Sequence, residues 1–132
     1  MGAGTATIVE GTVYVDTTPS TYGELDVKAA TLQFGGTLNV SIQGYDPANG
    51  KAQQDVLKVV NGVFNLNPQG STALHINVYG TVVGGDTWII ISSNNITSNT
   101  NTVDFASKTT NPQTNVNSSP NSPKQGQYKL SF

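Results

Sequence analysis

Tyr14, Asn77 and Tyr79 are the residues of this chain best suited to hold a sugar. Aromatic faces stack on sugar rings, and amide side chains both donate to and accept from hydroxyls. In the stretch LHINVY, His75, Asn77 and Tyr79 alternate with apolar residues, so a strand would carry all three on one face. Tyr14 alternates with Val13 and Val15 and is expected to face outward as well. A second candidate is the oxygen-rich loop GYDPANGKAQQD, which holds Asp46, Asn49 and Asp55. Such oxygens suit Ca²⁺. The loop lacks the D-x-D-x-D-G spacing of a dedicated calcium site, and Asp-Pro and Asn-Gly are ordinary turn formers. No cofactor is expected, calcium at this loop being the one alternative.

Catalysis finds less support. Glu24 and Asp26 share one strand face and could form the carboxylate pair of a polysaccharide-active enzyme, which needs separations of roughly 5–10 Å. Solvated strand charges explain them more simply. His75 is the only histidine and there is no cysteine, whereas transition-metal sites draw on several N or S ligands. No G-x-S-x-G turn is present. No catalytic residue is assigned, and the chain is read as a non-enzyme.

The elements that must position these residues are strands. Charged residues make up only 11% of the 132, with a net charge of -2, which gives no electrostatic footprint for nucleic acid. No apolar run is long enough to insert into a membrane. Period-two alternation recurs at Leu32–Phe34, Leu38–Ile42, Phe64–Leu66 and Leu74–Val78. The stretch from Leu25 to Gly44 also reads as a copy of the stretch from Leu57 to Gly80. Leu25 aligns with Leu57, Val27 with Val59, Leu32 with Phe64 and Phe34 with Leu66. Beyond the longer turn NPQGS, Leu38, Val40 and Ile42 align with Leu74, Ile76 and Val78. A shorter copy, VEGTVYV, aligns Val13 with Leu32 and Val15 with Phe34. Units of roughly 20–30 residues with one apolar face must stack to bury it.

The expected fold is therefore all-β: one domain over residues 1–132, built as a short right-handed β-solenoid of about three rungs. A β-sandwich or jelly roll is the alternative. The Ser/Thr/Asn-rich segment 92–127 is expected as an irregular polar loop, and 128–132 as a closing, capping strand.

Several motifs resemble the C-terminal part of bacterial extracellular β-helix proteins, of the autotransporter type and of planctomycete-like secreted repeat proteins. Asp55, Leu57, Val59 and Gly62 resemble their D-x-L-x-V-x-G rung. Gly85, Asp86, Trp88, Ile90 and Ile91 resemble their G-D-x-(W/Y)-x-I-I strand, and YKLSF their final strand. The resemblance implies a structural or adhesive role at the cell surface or outside the cell, and no activity. The opening MGAGTATIVEG has no signal-peptide pattern, so that placement expects the chain to be a fragment of a longer protein. Expected partners are further copies or neighbouring β-repeat modules, and polysaccharide if the tyrosine face binds one.

Overall fold

The computed structural model describes residues 4–16, 22–46, 51–68, 71–80, 82, 86–111, 117–121 and 126–131. Among them the chain is all-β, with no helix. The strands are β1 (Thr5–Ile8), β2 (Thr12–Tyr14), β3 (Glu24–Lys28), β4 (Thr31–Phe34), β5 (Thr37–Asp46), β6 (Lys51–Gln54) and β7 (Val56–Val60). They continue with β8 (Val63–Leu66), β9 (Ala73–Tyr79), β10 (Thr87–Ser92), β11 (Asn95–Ser98), β12 (Ser107–Asn111), β13 (Asn117–Asn121) and β14 (Gln127–Ser131).

Three sheets collect these strands in a fixed rotation. The first holds β1-β4-β8-β11, the second β2-β5-β9-β12, and the third β3-β7-β10-β14-β13. Apart from β6, which folds back antiparallel on β5, the chain visits first, second and third sheet in turn. Neighbours that are one round apart pair in parallel; β14 pairs antiparallel with both β10 and β13.

Alternation puts the apolar residues inside. In the first sheet Ala6, Leu32, Phe64 and Ile96 stand opposite one another, as do Ile8, Phe34 and Leu66. The second sheet aligns Val13, Leu38 and Leu74, then Val40 with Ile76 and Ile42 with Val78. The third aligns Leu25, Leu57 and Ile91, and Val27 with Val59. Every matched pair between Leu25–Gly44 and Leu57–Gly80 that the sequence alignment drew over these strands is thus a cross-strand neighbour. Apolar residues stacked in register give each ladder a continuous buried face. The aromatic members continue as a chain of rings. Phe34 stacks on Phe64 at 5.7 Å, Phe64 meets Phe105 at 6.5 Å, and Phe105 meets Tyr128 edge-on at 5.1 Å.

The shorter copy is out of step. Val13 pairs with Leu38 and not with Leu32; the residues opposite Leu32 and Phe34 are Ala6 and Ile8. Alternation of period two fits either strand of a round equally well. The small Ala6 hides the true partner. The segment 92–127 also carries more order than a polar loop: β11, β12 and β13 run through it. Their ladder bonds are made by the backbone, so Ser, Thr and Asn can occupy a strand that contributes little to the core. The last strand, β14, runs from Gln127 to Ser131, with Tyr128 and Leu130 fully buried.

Sharp corners separate the strands. At the corner between β7 and β8, Asn61 takes φ 56°. Gly62 follows, and a Cβ there would overlap the carbonyl oxygen of Ala29. Only glycine lets the two rounds approach that closely.

Candidate functional site

The outer face of the second sheet gathers the candidate sugar-binding residues. Pairing sets Tyr14, Asn39, His75 and Thr109 in one row across β2, β5, β9 and β12. Ser41, Asn77 and Asn111 form the next row, and Gln43 with Tyr79 the row after. Tyr14 is 54% exposed and Tyr79 37%. The polar side chains between them are tied together. The Asn77 amide donates to Asn39 Oδ1 at 2.6 Å and, more weakly, to the Val40 carbonyl at 3.4 Å. His75 Nδ1 and Thr109 Oγ1 are 2.7 Å apart. Tyr79 lies two strands and four residues from Tyr14, so their backbones stand roughly 16 Å apart. That is too far for one sugar ring. Two stacking positions at the ends of a polar strip could each take one unit of an oligosaccharide.

Next to this face lies a residue without a sequence signal. The Tyr22 hydroxyl is buried and lacks a hydrogen-bond partner among the described residues. Burial, then the nearby Tyr79 phenol and Asp55 carboxylate, push its pKa up to about 12. Tyr22 stays a neutral phenol at any physiological pH. No alternating pattern surrounds it, so nothing in the sequence marks it.

Of the three candidate calcium ligands, Asn49 lies outside the described residues, and so does the side chain of Asp46. Asp55 is fully buried. One of its oxygens accepts from the Gly23 amide at 3.0 Å and the other from the Ser41 amide at 2.9 Å. Its own amide donates to the Ser41 carbonyl, and the next amide, of Val56, to the Gly23 carbonyl, both at 2.9 Å. The carboxylate thus ties the start of β3 to β5 across the corner between the second and third sheets. Burial raises its pKa; the two amides oppose the rise, and the Asp16 charge adds to it. Among the described residues no three His, Cys, Asp or Glu side chains cluster closely enough to share a metal ion.

Glu24 and Asp26 stand on the exposed face of β3. Asp26 hydrogen-bonds to Glu24, which, with the charge of Asp26, raises the Glu24 pKa; Lys58, paired with Asp26 across the ladder, pulls it back. Both carboxyls lie on the solvent face, two residues apart on one strand.

A second buried polar anchor, Asn67, sits at a corner of the first and second sheets with φ 56°. Its side-chain amide donates to Ser98 Oγ at 3.0 Å and to the Asp104 carbonyl at 2.8 Å, and its backbone amide donates to Thr72 Oγ1 at 2.8 Å. The Thr72 hydroxyl donates in turn to the Phe34 carbonyl at 2.7 Å. These bonds hold three successive rounds together. The Asn-Pro pair in NPQGS marks the turn but not the burial.

No helix among the described residues is long and apolar enough to cross a membrane. In comparisons with known proteins, no family model, curated protein or solved structure matches this chain.

Proposed function

We propose that the chain is a non-catalytic structural module, a short right-handed β-solenoid that acts at the cell surface or outside the cell as a scaffold or adhesive segment. The observation that carries this reading is the rotation of the chain through three sheets with like residues stacked in register. A sandwich or jelly roll is built from antiparallel pairs, whereas the ladders that join successive rounds here are parallel. Parallel neighbours need a crossover connection, and here it runs through the other two sheets without a helix among the described residues. The interior is filled by side chains, and Glu24 and Asp26 stand as exposed charges on one strand face, where solvated charges are the simpler explanation.

A carbohydrate-binding module is the second reading, favoured by the exposure of Tyr14 and Tyr79 at the ends of the Asn39–Asn77 strip. A panel of immobilised polysaccharides separates the two. The structural reading expects the parent chain to pass unretained, like Tyr14→Ala and Tyr79→Ala. Retention of the parent that drops at least about tenfold in either variant, at unchanged circular dichroism, would put the binding module first. The winding itself is read from nuclear Overhauser contacts between successive rounds, Leu38 to Leu74 and Leu32 to Phe64. Their absence would overturn the solenoid.

A further inference from the structure

The two ends of the three sheets are finished differently. At the β12–β14 end the third sheet turns antiparallel, and its outermost strand, β13, carries Pro120, which has no amide proton to offer another strand. Phe105 and Tyr128 close the interior there, and the Tyr128 hydroxyl donates to Asp104, whose other oxygen meets Lys108 at 2.7 Å.

The β1–β3 end has no such closure among the described residues. Each sheet begins with a strand paired on one side only. The inward residues of that round, Ile8, Val13, Leu25 and Val27 among them, are only partly buried. Their partners one round on, Phe34, Leu38, Leu57 and Val59, are at most 2% exposed. An open edge backed by half-covered apolar side chains is a template for another strand.

The sequence of β3 specifies which strand. Its outward row reads Glu24, Asp26, Lys28. Turned end for end about Asp26, a second β3 sets Glu24 of each copy opposite Lys28 of the other. The same register sets Leu25 against Val27 on the inner side. Opposite charges directly across an antiparallel pair are favourable, and like charges are not. The single unfavourable position is Asp26, which would face itself, with Lys58 beside it on β7. We infer that the β1–β3 end is an interface between two copies of this chain, formed by antiparallel pairing of β3 with β3 around a two-fold axis. Such an interface is isologous and closes at a dimer. It rests on the reading of the chain as a structural module and gives that module a defined way of joining.

Sedimentation velocity over a wide concentration range tests it. The parent chain is expected to pass from monomer to dimer and no further. Lys28→Glu places like charges at two positions and is expected to weaken the dimer about tenfold. Glu24→Lys is expected to do the same. Mixing these two variants restores opposite charges at both positions and is expected to recover the dimer as a heterodimer. Asp26→Asn removes the self-facing charge and should tighten association. All three side chains are exposed, so the fold is not at stake. A parent that stays monomeric throughout, or a dimer indifferent to all these changes, overturns the proposal. Contacts between successive rounds, measured on the same samples, keep a failed interface distinct from a failed solenoid.

Discussion

Phe64→Ala is expected to lower the unfolding free energy by about 3–5 kcal/mol, seen as a shift of the urea midpoint at constant slope. For a domain that holds only about 5–15 kcal/mol in total, this is a large share. Phe64 is fully buried and stands between Leu32 and Ile96 in its ladder. Its ring lies against Phe34 on one side and Phe105 on the other. These neighbours cannot move in to fill the gap. Each is held by its own strand or corner, and strand spacing within a sheet is set by backbone hydrogen bonds at ~4.8 Å. The cavity would stay open, which is the costly case. Val13→Ala provides the contrast. It sits on the first round and is only partly buried, so its loss is expected to cost about 1 kcal/mol or less. A Phe64→Ala cost no larger than that of Val13→Ala would mean that the interior is loosely filled and the register of the ladders is wrong.

The register of the middle rounds was legible because Leu, Val, Ile and Phe repeat there at matched positions. Leu25 and Leu57 need no structure to be paired. The first round was not legible, since its inward residues include Ala6, and a small side chain leaves little pattern. The strands of the polar segment were hidden for a related reason. β12 reads SKTTN and is largely exposed, so it follows β9 through backbone bonds and the His75–Thr109 contact, and not through a core. The tyrosine face was readable from parity: Tyr79 alternates with Val78, and Tyr14 with Val13. Tyr22 was not, because it lies in a corner where parity does not apply.

Asp55 was legible in a way that its place in an oxygen-rich loop obscured. It keeps step with Leu57 and Val59, the inward residues of β7, and an acid on an inward parity is a buried acid. Such a residue persists only if its oxygens are satisfied, and here two backbone amides do so. Asp55→Ala would leave the Gly23 and Ser41 amides buried without acceptors, at an expected cost of about 3–5 kcal/mol. Asp55→Asn keeps one acceptor but points an NH₂ group at the other amide, for an expected cost of about 1–3 kcal/mol. The pH dependence separates the charge from the hydrogen bonds. Burial raises the folded pKa of Asp55 above its unfolded value. Between the two values the folded chain holds a proton that the unfolded chain has lost. The contribution of Asp55 to stability is therefore greatest below the ordinary carboxylate range, and it declines as pH rises through the folded value. Asparagine has no such titration. The stability gap between parent and Asp55→Asn, taken from urea midpoints at a series of pH values, should narrow as pH rises from the acid side. A gap that widens instead would mean that the amides favour the ionised carboxylate by more than burial penalises it. The corner between the second and third sheets would then be held by a charge, and it would loosen in acid.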